Sequence, residues 1–140
     1  MKRVRSVTAE RDRPYTEKEL LHEHPDYGMV FRAVPDQDLA PKRTRRLLVF
    51  SDSVGHHAQI GRGMLALEAM SAKTRAFDVV FSGRLEDLEA ANLAPYDAVF
   101  LNNAAGIERV LTKPELRVAL IEFVRKGGGL AAIHGAADGG

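Results

Sequence analysis

Four short apolar runs fix what this chain can fold into. "RLLVFSD" starts at Arg46, "AFDVVFSG" at Ala76, "YDAVFLNN" at Tyr96 and "GLAAIHG" at Gly129. Each is too short for a core helix and nearly unbroken in apolar character, as expected of strands buried on both faces. The segments between them follow a helical period. In "HHAQIGRGMLALEAMSAKT", Ile60, Met64, Leu67 and Met70/Ser71 recur at helical spacing, and "LEDLEAANL" reads as a short acidic helix or loop. "LTKPELRVALIEFVRKGGG" is the clearest helix. Thr112 and Glu115 have capping-box spacing, and Pro114 suits the first turn. Leu116, Ala119, Leu120, Phe123 and Val124 form a core-facing stripe. Arg125 and Lys126 complement the helix dipole, and Gly127 ends the helix. Strand and helix alternate as β-α-β-α-β-α-β. That order predicts an α/β fold with a parallel sheet covered by helices on both faces, flavodoxin-like, in strand order 2-1-3-4 with a later strand missing.

Residues 1–45 differ from the rest. They hold four of the six prolines and no sustained period, so they read as a charged, partly disordered arm, with "TEKELL" able to start a turn or two of helix. Residues 46–140 are the folded domain. The net charge of +1 over 140 residues is too small to argue for nucleic acid or an anionic membrane. The start lacks the apolar stretch of a secretory signal, and no run reaches transmembrane length, so a cytoplasmic location is the default expectation. The chain has no cysteine. That removes disulfides, Cys-based zinc sites and a Cys nucleophile.

Parallel sheets of this kind bind ligands beyond the carboxyl ends of their strands. Three apolar runs stop there on polar groups: "SDSVGHH" with Asp52 and His57, "NNAAG" with Asn102 and Asn103, and "HGAAD" with His134, Gly135 and Asp138. His56 and His57 sit by the start of a helix, where free N–H groups can cradle a polar ligand; with Ser53 as the cap, they would instead face solvent. One of Asn102 and Asn103 is expected to be structural, and either can hydrogen-bond a ligand. His134, between a strand and a glycine, has the layout of a nucleophile elbow, against the alternative of a satisfied, half-buried histidine. Asp138 can orient His134, bind ligand or cap the next helix. His57, His134 and Asp138 lack helical metal-ligand spacing, so a divalent metal has weak support and no cofactor is expected. Ser51 and Ser53 lack the G-x-S-x-G frame of a serine hydrolase.

"RLLVFSDSVGHHAQIGRGMLALEAM", "YDAVFLNNAAG" and "LIEFVRKGGGLAAIHGAAD" together resemble the ThuA-like, or trehalose-utilisation, family. The resemblance covers about residues 46–140 and is most specific in its last stretch. His57, His134, Gly135 and Asp138 match family motif positions, whereas "SVGHHAQI" lacks the aromatic residue and serine usual in the first turn. It implies the class I glutamine-amidotransferase-like fold and a domain continuing past Gly140. Relatives in that superfamily place a catalytic cysteine at the elbow; His134 stands there instead, so cysteine-dependent amidotransfer is excluded. The implied ligand is a small-molecule carbohydrate. His134 and His57 are the expected catalytic pair, since histidine exchanges protons near neutral pH. Asp52, Asn102, Asn103, Gly135 and Asp138 are the expected ligand contacts. The alternatives are a non-catalytic carbohydrate-binding or interaction module and an inactive fragment of a longer protein.

Overall fold

The computed structural model describes residues 27–51, 58–104, 107, 110 and 112–137. Within them run α1 (Tyr27–Ala33), β1 (Arg46–Phe50), α2 (Ala58–Thr74), β2 (Asp78–Ser82), a 3-10 turn (Leu85–Leu88), α3 (Ala90–Leu93), β3 (Ala98–Asn102), α4 (Pro114–Arg125), β4 (Gly129–Ile133) and a closing 3-10 turn (His134–Ala137). All strand pairs are parallel and the order is β2-β1-β3-β4. The fold is α/β and flavodoxin-like, as the alternation of runs required.

Side chains of β1 alternate between two cores, which is why its apolar run is unbroken. Leu48 and Phe50 join Val99, Leu101, Leu88, Leu93, Leu116 and Leu120 on the face covered by α3 and α4. Val49 joins Val79, Phe81, Met64 and Leu67 on the face covered by α2. Burying each such side chain contributes about 1.5–3 kcal/mol. Leu48, Val49 and Phe50 are fully buried because β1 is central.

The glycines after α4 behave as their sequence implies. Gly127 has φ +95°, a region open to glycine, and its N–H donates to the Val124 carbonyl (2.9 Å). Gly128 N–H donates to the Phe123 carbonyl (2.9 Å), completing a Schellman motif. The start of α4 differs from the capping-box expectation. Lys113, not Thr112, is the N-cap, extended at φ −95°, ψ 106°. A residue before proline is driven out of the helical region, so Pro114 sets the boundary.

The core-facing stripe of α4 holds at Leu116, Ala119 and Leu120, but Val124 is exposed. The expectation of a buried fourth strand fails more broadly: all five residues of β4 are exposed. β4 pairs with β3 on one side, and among the described residues no strand pairs with its other edge. Apolar sequence alone does not supply the elements that would bury it.

Before β1 the described residues hold one helix, Tyr27–Ala33, while "TEKELL" lies outside the described residues. Tyr27 and Val34 pack α1 and its exit against Leu65 and Ala69 of α2. Lys73 Nζ donates to the carbonyls of Val34 (2.6 Å) and Phe31 (3.3 Å), satisfying the end of α1 from a neighbouring helix. Asp38 pairs with Arg75, whose guanidinium lowers the pKa of that carboxyl.

Candidate functional site at the carboxyl edge

The chain turns from β1 to β2 on one side and to β3 on the other, so the switch point lies between the ends of β1 and β3. A buried polar network occupies it. Asn102, the last residue of β3, is fully buried. Its Nδ2 donates to Ser51 Oγ (3.2 Å), just past β1, and to the Ile60 carbonyl (3.1 Å) in the first turn of α2. Its Oδ1 accepts from Asn103 Nδ2 (3.2 Å). Ser51 N–H donates to the Ser82 carbonyl (2.9 Å), tying the end of β2 to the same edge. Three strand ends and one helix start are thus held by one amide side chain and its neighbours.

Asn103 follows β3 with φ 51°, and His134 follows β4 with φ 57°. The strands end in register, Asn102 opposite Ile133, so these two left-handed residues occupy equivalent places on adjacent strands. Left-handed backbone is costly outside glycine, least so for asparagine. Asn103 is buried at 5% exposure, and its Oδ1 has no hydrogen-bond partner among the described residues. His134 is exposed and opens the 3-10 turn that contains Gly135, and this turn packs against β3. Ala136 of the same turn is buried in the α3/α4-side core, which anchors the turn.

Of the residues expected at the site, Asn102, Asn103, His134 and Gly135 therefore lie at one edge of the sheet. Asp52, His57 and Asp138 fall outside the described residues. Asn102 takes the structural role expected of one asparagine of the pair. Ser51 and Gly63 also belong to the network, which their local sequence does not mark beyond a glycine inside a helical period. A Cβ on Gly63 would lie 2.3 Å from Asn102 Oδ1, so only glycine lets α2 approach.

The chain belongs to the ThuA family. The family's model, described as trehalose utilisation, matches residues 46–139. That span runs from the first residue of β1 past the turn bearing His134. No curated protein and no solved structure matches the chain. Among the described residues no group of three His, Cys, Asp or Glu side chains is arranged to hold a metal ion, and no helix is long and apolar enough to cross a membrane.

A cleft of about 550 Å³ opens elsewhere, at the amino ends of the strands, lined by Arg43, Arg45, Tyr96, Asp97, Phe123 and Lys126 among others. Its charges serve the fold. Asp97 Oδ1 accepts from Arg43 (2.5 Å) and Arg45 (3.3 Å), and Oδ2 accepts from Arg46 N–H (2.8 Å). The Arg43 bond, aided by the Arg46 N–H, lowers the Asp97 pKa to about 2. Volume favours this cleft; topology and a buried amide oxygen without a partner among the described residues favour the opposite edge.

Proposed function

We propose that this ThuA-family protein binds a small sugar or sugar derivative at the carboxyl edge of its sheet, with His134 as general acid/base. The observation that carries the reading is the placement of Asn103 and His134 in left-handed backbone at paired strand ends beside the switch point. Strained residues held by a surrounding network are a mark of functional positions. Asn103 supplies a buried polar contact, and His134 supplies a group that exchanges protons near neutral pH. Asn102 is a positioning residue: its bonds to Ser51, Ile60 and Asn103 set the floor of the site. His57 is the proposed second catalytic partner, with Asp52, Gly135 and Asp138 as further contacts. The family description, trehalose utilisation, supplies the sugar class.

The test is calorimetric titration of the protein with trehalose and glucose, with turnover followed by proton NMR. Binding of either sugar by the wild type, with turnover lost in His134→Asn, is the expected result. Asparagine tolerates the left-handed backbone, so that variant separates chemistry from folding. Turnover unchanged in His134→Asn would remove the acid/base role. Absence of binding to both sugars would remove the sugar reading.

A further inference from the structure

The hydrogen bonds at the switch point form a directed chain, and its direction decides which group its last, buried amide leaves for a ligand. The Ile60 carbonyl can only accept, so the Asn102 group facing it is the donor Nδ2. That choice turns Asn102 Oδ1 toward Asn103, where only a donor can meet it. Asn103 must therefore present Nδ2 to Asn102, which leaves its own Oδ1 as the terminal acceptor. That atom is buried and has no partner among the described residues. A buried acceptor left unmade is penalised, so a ligand that meets it with a donor is favoured over a group that cannot.

We infer that Asn103 is a specificity-determining residue that accepts a hydrogen bond from a ligand hydroxyl, and that this position selects neutral hydroxylated ligands over anions. This rests on the carboxyl-edge reading above and names the ligand chemistry that the edge takes. One Nδ2 proton of Asn103 is committed to Asn102. The remaining edge of the amide offers Oδ1 and one N–H. A hydroxyl, which both donates and accepts, complements Oδ1 and can also meet that N–H. A carboxylate or phosphate oxygen at Oδ1 sets lone pair against lone pair. The orientation is locked by the network: exchanging nitrogen and oxygen of the Asn103 amide would bring Oδ1 against Asn102 Oδ1, and exchanging both amides would bring Asn102 Oδ1 against the Ile60 carbonyl. Asn102 thus acts through Asn103, and Gly63 allows α2 to come close enough for Ile60 to set the direction.

Ligand-observed NMR and calorimetry on the wild type and on Asn103→Gly test this. Glycine keeps the left-handed backbone, and far-UV circular dichroism with a thermal melt confirms the fold of the variant. The probes are trehalose, fully O-methylated trehalose, which has acceptors but no donors, and inorganic phosphate. The expected result is trehalose binding to the wild type, a loss of at least tenfold in Asn103→Gly, and no binding of the methylated sugar or phosphate. Equal trehalose affinity in wild type and Asn103→Gly overturns the inference and leaves the sugar reading standing. If trehalose binds neither protein, the sugar reading fails, and ethylene glycol, ethylammonium and acetate then decide the inference. Glycol binding that disappears in Asn103→Gly upholds it. Asn103-dependent binding of acetate, phosphate or ethylammonium in place of glycol, or no glycol binding, overturns it.

Discussion

Gly63 of α2 lies so close to Asn102 of β3 that a Cβ would sit 2.3 Å from Oδ1, well inside van der Waals contact. The contact joins a helix interior to the end of a strand, and the Asn102–Ile60 hydrogen bond closes the same seam (3.1 Å). Space on one side and hydrogen bonding on the other fix how α2 leaves the switch point.

Gly63→Ala is therefore expected to destabilise the protein by about 1–3 kcal/mol through overpacking, despite alanine's better helix propensity. Gly61 sits two residues away in the same helix, and a Cβ added there would meet nothing within 4 Å. Gly61→Ala should stabilise by about 0.5–1 kcal/mol. Urea denaturation of the two variants measures the contrast. Equal signs would contradict the close approach.

Lys73 should hold α1 in place. Its side chain is 13% exposed and its Nζ satisfies two carbonyls at the end of that helix. Lys73→Met keeps the apolar stem but deletes both charge-assisted bonds, at a cost of about 1.5–3 kcal/mol. Amide exchange should accelerate in Tyr27–Ala33 more than in β1. Uniform acceleration would show that α1 is not held through this residue.

Asp97 makes stability depend on acid. Its carboxyl is depressed to about 2 in the folded protein, chiefly by Arg43. In the unfolded chain it takes its ordinary value of about 3.9. A depressed carboxyl stabilises the fold fully above the unfolded value and loses that contribution as pH falls through the folded one. Asp97→Asn should thus melt below the wild type at pH 7, and the gap should close between about pH 4 and pH 2. At pH 7, 1 M salt should narrow it too, since the ion pairs are exposed on the arginine side. A gap constant from pH 7 to pH 2 would contradict the assignment.

Gly127 should tolerate substitution in a set order. At φ +95° alanine carries backbone strain of about 1 kcal/mol or more, and asparagine carries less than alanine. Thermal melts should rank wild type above Gly127→Asn and Gly127→Asn above Gly127→Ala. A reversed order would show that the helix ends without the left-handed turn.

The sequence by itself determined the elements and their order. Unbroken apolar runs around Val49, Val79, Val99 and Ala131, separated by helical periods, leave a parallel sheet as the arrangement that buries them. It also placed the polar groups at the strand ends, because each run stops where its strand stops. Tertiary structure decided what lies beside what. Apolar sequence in "GLAAI" suggested burial, yet β4 is exposed, since burial depends on a neighbour that local sequence does not name. The pair Asn102 and Asn103 was ambiguous in sequence, because adjacent residues of one type carry no sign of which faces inward. The Ile60 carbonyl, 42 positions away, resolves it by accepting from Asn102, which leaves Asn103 Oδ1 without a partner among the described residues. Periodicity is a local property and is readable along the chain; hydrogen-bond direction across a sheet edge exists only once the strands have met.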